Sequence, residues 1–256
     1  MYKKTKFVGI KLIVIFVWLL IWQLIYLLIG RNILFSSPID VAGRLFVLGR
    51  QAFFWQSIGV SLLRITIGYL AGLLCGFLLA ICTAMVPVLR TFLHPLLSVI
   101  RATPVNSFIL LMLFWFTTGT VPVYMTFLMV LGLVWANVEE GFLAAPPALL
   151  EMAQVFGFGK LQKFRHIYMP AVRPFLSASA VTALGFAWKS GIAAEVICHP
   201  VFAIGTQLYN AKVYLETVDM LAWTFVVILI SMVLEKLVAR LLKSNANKRD
   251  NGGLFV

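Results

Sequence analysis

The chain has 256 residues, of which 62% are hydrophobic and 12% charged, and its formal net charge is +12. Soluble domains carry about a quarter charged residues, so this composition excludes a soluble globular protein and is typical of a polytopic membrane protein. The positive charge does not indicate a nucleic-acid partner, because its distribution along the chain follows the pattern that membrane insertion produces.

Six apolar segments approach the roughly 20 residues that a helix needs to cross a hydrocarbon core of about 30 Å. In chain order they are 12–29, 58–86, 96–116, 121–136, 171–194 and 220–242. The first is longer than a signal-peptide core and no small-residue cleavage site follows it, so we expect it to be retained. The sequence predicts an all-α integral membrane protein with about six transmembrane helices.

The predicted organisation has three parts. Residues 1–56 would form the first transmembrane helix and an outer segment, residues 57–242 the membrane core, and residues 243–256 a polar tail. Within the core, Gly68, Gly72 and Gly76 recur at a spacing of four. Small residues at this spacing let helices approach closely in lipid, and we interpret them chiefly as intramolecular packing.

Lysine and arginine are distributed unequally between the two sides of the membrane. With the amino terminus in the cytoplasm and six spans, fifteen of the 21 Lys and Arg lie on the cytoplasmic side. Such an excess in cytoplasmic loops is the usual outcome of membrane insertion. We therefore expect both termini and the segment 138–170 in the cytoplasm, and segments 31–56 and 195–219 on the outer side.

Residue types that carry catalysis are not arranged for it. The stretch from Gly157 to Leu161 lacks the spacing and the Ser or Thr of a phosphate-binding loop, so we do not expect this chain to hydrolyse ATP. The three histidines lie at span edges or in loops, and no acids are paired for acid–base or metal chemistry. The sequence predicts no enzyme, no cofactor and no metal site.

Two cations fall within predicted spans. Arg64 lies in the second apolar segment and Lys189 in the fifth. Because a charge inside a membrane is costly, it commonly serves function, here by holding an anionic solute or by pairing with Glu195 across helices. The other interpretation is that both side chains extend to the outer surface while their aliphatic parts cover apolar neighbours. Both interpretations stay open.

The segment 138–170 is too apolar for a solvated linker and too charged for hydrocarbon. Leu149, Met152 and Phe156 follow helical spacing and form one apolar face, and we expect Glu151 in the first turn of that helix. Gly157 and Gly159 would end it, and a second short helix would follow. The pair would lie at the membrane surface, either binding a protein or held there by anionic lipid.

This segment resembles the cytoplasmic loop of the membrane-spanning permease subunits of binding-protein-dependent ABC importers. The loop motif reads Glu-Ala-Ala, three residues, Gly, nine residues, Ile-x-Leu-Pro. The residues in register are Glu151, Ala153, Gly157, Ile167 and Pro170, while Met152 and Met169 replace an alanine and a leucine.

Further stretches are similar to the nitrate, sulfonate and taurine branch of these permeases. They are Ser-Leu-Leu-Arg at 61–64, Arg-Ala-Thr-Pro at 101–104, Ala-Trp-Lys at 187–189, Ala-Ala-Glu at 193–195 and Asn-Val-Glu-Glu-Gly at 137–141. In the last of these, Val138 replaces the threonine of the branch.

The resemblance implies a type I importer permease fold (MetI-like) in the cell membrane. Two copies of the permease would form the solute pathway above two separate ATP-binding subunits, and an extracytoplasmic substrate-binding protein would deliver the solute. The residues that would contact the ATPase or fix the contacting helix are Glu151, Met152, Ala153, Phe156, Gly157, Gly159, Ile167 and Pro170.

Two other functions are compatible with an apolar chain of this kind. An ion-coupled secondary transporter or channel would require inverted repeats, broken helices or acids at the membrane midplane, and the nine acids here are expected in loops or near helix ends. A membrane scaffold whose loop anchors a partner would bind that partner without solute uptake.

Overall fold

The computed structural model describes residues 2–30 and 34–250, with side chains described for 13–30 and 34–240. Every regular element in these ranges is helical. The helices are α1 (Tyr2–Ile29), α2 (Pro38–Leu48), α3 (Ala52–Met85), α4 (Pro87–Ala102), α5 (Val105–Met112), α6 (Val121–Leu143), α7 (Pro147–Val155), α8 (Lys160–Lys163), α9 (Met169–Cys198), α10 (Ile204–Val213) and α11 (Thr217–Asp250). A π-helical turn, Phe164–Tyr168, joins α8 to α9.

The expected apolar segments correspond to helices, although not all of them are simple spans. Helices α3 and α6, the continuous run Lys160–Cys198 and the Thr217–Arg240 part of α11 are long and apolar enough to cross a membrane. The pair α4 and α5 makes a fifth candidate, and the described apolar part of α1, Ile13–Ile29, is shorter. The prediction of an all-α membrane protein is confirmed.

The apolar segment 96–116 does not form one continuous helix, because α4 and α5 meet at a bend of 102°. Pro104 causes the break. Its ring disfavours helical geometry at the preceding residue, and Thr103 adopts an extended conformation with φ −71° and ψ 126°. Pro104 itself is also extended, and it donates no backbone hydrogen bond, so the helix restarts at Val105 in a new direction.

The segment 138–170 contains less loop than expected. Helix α6 continues to Leu143, and Val138, Gly141 and Phe142 lie on its buried side. The expected second short helix is the beginning of the long run Lys160–Cys198 rather than a separate element at an angle. Only α7 therefore stands between the two spans as an independent helix.

The remaining boundaries differ by a few residues from the expected ones. Helix α3 begins at Ala52, six residues before the expected start, and α11 continues into the polar tail as far as Asp250. Residues 251–256 of that tail lie outside the described residues.

The core lies where α3, α6 and α9 pack together. A Cβ added at Gly68 would lie 2.5 Å from the carbonyl oxygen of Val123, and one at Gly72 would lie 2.7 Å from Cβ of Val130. The expected close approach of helices at the glycine ladder is confirmed. Two buried tryptophans fix the packing with hydrogen bonds of 3.0 Å, from Trp135 to the Thr83 hydroxyl and from Trp188 to the carbonyl of Val227.

Candidate functional site

Helix α7 is anchored to the start of the long helix that follows it. Ala153 is fully buried and packs in a small apolar cluster with Ala145 and Ile167, which lies in the π-helical turn. Pro170, expected to end the segment, is the second residue of α9 and is exposed. The contact of Ala153 with Ile167 sets the position of α7 relative to α9.

The end of α7 is closed by a pair of backbone hydrogen bonds. The amide of Phe158 donates to the backbone carbonyl of Ala153 at 2.8 Å, and the amide of Gly157 donates to the backbone carbonyl of Gln154 at 3.2 Å. This is the Schellman arrangement, which needs a left-handed residue, and Gly157 has φ +68°. Gly159 then precedes α8 and donates its amide to the side chain of Gln162 at 2.8 Å. The prediction that these glycines end the helix is confirmed for Gly157, whereas Gly159 caps the start of α8.

An apolar patch on α7 and α8 faces away from the protein. Its members are Met152, Val155, Phe156 and Leu161, and the exposed fractions are 85% for Val155, 72% for Phe156 and 78% for Leu161. Glu151 is exposed beside the patch. Its expected place in the first turn is wrong, because α7 already begins at Pro147 and Glu151 is its fifth residue.

The π-helical turn links the patch to two spanning helices. The rings of Phe164 and Tyr168 each lie 6.1 Å from the ring of Phe142, near the end of α6. Because the same turn carries Ile167 against Ala153, α6, α7 and α9 share one packed junction. Direct contacts therefore connect α7 to both spanning helices.

A buried polar cluster occupies the far end of α9. The Ser61 hydroxyl donates to Glu195 Oε2 at 2.8 Å, and the amide of Gly205 donates to the same oxygen at 3.2 Å. The guanidinium of Arg64 lies 3.6 Å from Glu195 Oε1. Of the interpretations left open for Arg64, the structure shows the pairing with Glu195.

Arg64 also holds the segment that follows α9. It donates to the carbonyl of Val201 at 3.0 Å and to that of Phe202 at 3.3 Å. The arginine thus connects α3, α9 and the turn before α10. Lys189 does not join this cluster, because its side chain is exposed on another face of α9.

Sequence reasoning missed a second polar region between α4 and α6. Arg90 lies 3.1 Å from Glu139, whose side chain is only 4% exposed. Arg101 and Asn137 line two neighbouring cavities between the same helices. Arg90, His94 and Arg101 lie on one face of α4, and this spacing could have indicated the polar region. It was not recognised because the span was expected to start only at residue 96.

Most of the chain matches one protein family. Residues 68–249 fit the model of the binding-protein-dependent transport system inner membrane component. The chain belongs to this family. As a member it is a membrane permease subunit of an ABC importer, a class that works with ATP-binding subunits and a substrate-binding protein. The alternative of an ion-coupled secondary transporter or channel has no support.

Known permeases of this family are similar over most of their length. The taurine transport system permease TauC of Escherichia coli (strain K12) is 25% identical over 237 residues, which cover 90% of this chain and 85% of TauC. The nitrate import permease NrtB of Synechococcus elongatus (strain ATCC 33912 / PCC 7942 / FACHB-805) is 26% identical over 71% of this chain and 68% of NrtB. The putative aliphatic sulfonates transport permease SsuC of Escherichia coli (strain K12) is 25% identical over 71% of this chain and 69% of SsuC. The predicted branch is confirmed.

Solved ABC transporters share the fold of this permease. A bacterial transporter involved in the import of the acidic polysaccharide alginate superposes with a TM-score of 0.64 at 19% identity, covering 94% of this chain and 96% of that chain. An amino acid ABC transporter crystallised with histidines superposes with a TM-score of 0.56 at 18% identity, covering 75% of this chain and 90% of that chain. The fold is the MetI-like permease fold of type I importers.

Proposed function

We propose that this permease is driven through α7, which seats its apolar patch in a groove of a separate ATP-binding subunit. The exposed patch on a firmly anchored helix is the observation that carries the proposal. Exposed apolar clusters of this kind mark interaction surfaces, and a short helix in an apolar groove is a common mode of recognition. Glu151, beside the patch, would pair with a basic group of the partner.

The anchoring of α7 supports a mechanical role. Ala153 packs against Ile167, and the π-helical turn packs against Phe142. Movement of the ATP-binding subunit would therefore shift α6 and α9 together instead of bending the loop. The left-handed Gly157 and the exposed Pro170 would keep the angle of the junction constant.

The assembly that follows from this role has two permease copies, two ATP-binding subunits and one substrate-binding protein. Both termini of each permease would lie in the cytoplasm, with α7 on the same side. The segments 31–56 and 195–219 would meet the substrate-binding protein on the outer side. The named relatives handle taurine, nitrate and sulfonates, each of which carries an anionic oxygen group. A small oxyanion is therefore the proposed solute class.

The test compares two matched substitutions in the complete transporter. Val155→Asp places a charge in the centre of the patch, and Val88→Asp makes the same change at a residue of α4 that is 79% exposed. An unpaired carboxylate buried in a protein interface costs several kcal/mol, so copurification of the ATP-binding subunit should fall roughly tenfold or more for Val155→Asp alone.

Two further substitutions test the coupling of uptake to ATP hydrolysis rather than the binding of the ATP-binding subunit. Glu151→Lys and Gly157→Asp should leave the permease inserted in the membrane while solute uptake no longer follows ATP hydrolysis. Normal yields of the ATP-binding subunit together with unchanged uptake in Val155→Asp, Glu151→Lys and Gly157→Asp would contradict the proposal. That result would favour a patch held by lipid through Lys160, Lys163 and Arg165.

A further inference from the structure

Two cavities follow one another along α6. The cavity near the end of the helix has a volume of about 220 Å³ and borders Glu139, Glu140 and Leu143. The second has a volume of about 300 Å³ and borders Gly132, the twelfth of the 23 residues of α6. Together they lead from the α7 end of the span to its middle.

Arg101 stands at the junction of the two cavities. It lines both of them, as do Ala136 and Asn137. Helix α4 approaches α6 closely here, since a Cβ added at Gly132 would lie 2.9 Å from the side chain of Ile100. The position of Arg101 is therefore set by helix packing, and the bend at Pro104 directs the chain away just after it.

The charges along this passage do not cancel at Arg101. Arg90, at the rim near the α7 end of α6, is compensated by Glu139 at 3.1 Å. Glu140 borders the rim cavity and is exposed, and the inner cavity has Arg101 as its one charged lining residue among the side chains described. Within residues 13–30 and 34–240, Arg101 has no carboxylate within 4.0 Å. Arg101 is exposed and borders both cavities, and a cation without a carboxylate partner beside an apolar span commonly serves function.

The chemistry of these groups selects one class of ligand. A guanidinium offers five N–H donors in a planar fork that fits the paired oxygens of an oxyanion. The amide of Asn137 adds a donor on the α6 side of the same cavities. A cavity of about 300 Å³ has room for a small oxyanion with several waters, since each water occupies about 30 Å³ in the liquid.

We infer that Arg101 and Asn137 form a transient binding station for a small oxyanion inside the permease, so that the membrane subunit itself takes part in selecting the solute. This inference rests on the proposed import function. The station binds the anion after its release from the substrate-binding protein and lies one step before the rim formed by Arg90 and Glu139.

The experiment measures ATP-driven uptake by the complete transporter in proteoliposomes, with taurine, methanesulfonate and nitrate as probes. Arg101→Gln should lower uptake of the transported probe at least tenfold, whereas Arg101→Lys, which keeps the charge, should retain about a third or more. Asn137→Asp, an isosteric change that places a negative charge at the station, should also lower uptake at least tenfold. ATP hydrolysis and the yield of assembled complex should match wild type in all three.

Arg240→Gln serves as the control, because Arg240 is exposed on α11 and borders neither cavity. Equal uptake by Arg101→Gln and Arg101→Lys would overturn the inference, whether both are normal or both are lost. A lower yield of assembled complex for Arg101→Gln would also overturn it, since that result makes Arg101 a contact between subunits. Uptake of none of the three probes by wild type, with the ATP-binding subunit still bound, would reject the oxyanion and leave the proposed coupling intact.

Discussion

The guanidinium of Arg64 lies 3.6 Å from the carboxylate of Glu195, although 131 residues separate them in sequence. The carboxylate is fully buried, and Ser61 and the amide of Gly205 also donate to it. The pair joins the first half of α3 to the last turn of α9, so it holds these two core helices together.

Removing that carboxylate should destabilise the protein strongly. Glu195→Ala leaves the arginine and two further donors without their shared acceptor, and breaking a buried ion pair typically costs about 3–5 kcal/mol. Because Arg64 is 17% exposed and keeps two carbonyl partners, we expect about 3 kcal/mol, measured as a lower Tm of the purified permease.

Glu216 provides the matched control, because it is exposed in the turn just before α11. Glu216→Ala should change the free energy of unfolding by no more than about 0.5 kcal/mol. If the two variants unfold at the same temperature, the polar cluster does not stabilise the packing of α3 against α9.

The conformation of Gly157 gives a second prediction. A Cβ at this position meets no atom within 4 Å, so the cost of Gly157→Ala comes from the backbone alone. A non-glycine residue in the left-handed region costs about 1–2 kcal/mol, which should loosen the end of α7 and lower ATP-driven uptake several-fold. Uptake assays on the complete transporter measure this.

Gly159→Ala is the control for that measurement. Gly159 has φ −65°, and its nearest neighbour would lie 3.8 Å from the new Cβ. Surface substitutions usually change the free energy of unfolding by about 0.5 kcal/mol or less. Uptake by Gly159→Ala should therefore stay within roughly a factor of two of wild type. Equal losses in both variants would mean that the left-handed turn is not what matters.

Close packing of α3 on α6 gives a third prediction. Gly68→Ala would bring a methyl group within 2.5 Å of the backbone oxygen of Val123, which cannot move aside without displacing the helix. Gly59→Ala, on the same helix, meets nothing within 4 Å. Only Gly68→Ala should reduce the yield of folded permease, measured by fluorescence-detected size exclusion. A reduced yield for Gly59→Ala as well would show a general sensitivity of α3.

The ion pair between Arg44 and Asp219 should matter much less. Arg44 donates to both carboxylate oxygens, the second at 2.7 Å, and the hydrogen bond to Asp219 raises the pKa of the arginine. The arginine is, however, 37% exposed, and exposed pairs contribute about 0–1 kcal/mol. Arg44→Ala should therefore lower the Tm far less than Glu195→Ala does. A comparable loss would indicate that α2 contributes to the core.

The sequence predicted features that depend on local chemistry. Gly157 predicts the end of α7, the glycine ladder predicts the approach of α3 to α6, and the apolar segments predict the helices. Pro104 was visible as a proline within a span, but composition alone does not give the angle at which a helix restarts. At the bend of 102°, α4 packs against α3 and α6 while α5 packs against α9 and α6, and the segment itself does not reveal these partners.

Contacts across the fold were harder to predict. Glu139 lies buried in the part of α6 beyond its expected end, where Arg90 of α4 neutralises its charge. Nothing in the sequence of α6 indicates that partner. Helix α6 was therefore expected to end at residue 136. The two cavities beside Arg101 could not be predicted for the same reason, because residues of different helices line them. In addition, only the structure shows that the nearby Glu139 pairs with Arg90 and leaves Arg101 without a carboxylate partner.

The run Lys160–Cys198 contains 39 residues, which at a rise of 1.5 Å each makes a rod about 58 Å long. Its lower end includes Leu161 of the apolar patch, and its upper end includes Glu195 of the polar cluster. The run includes the π-helical turn and Pro174, yet its backbone stays helical from one end to the other. On the proposed coupling, a displacement that begins at the patch would arrive at the buried carboxylate within a single secondary-structure element, with no loop in between to absorb it.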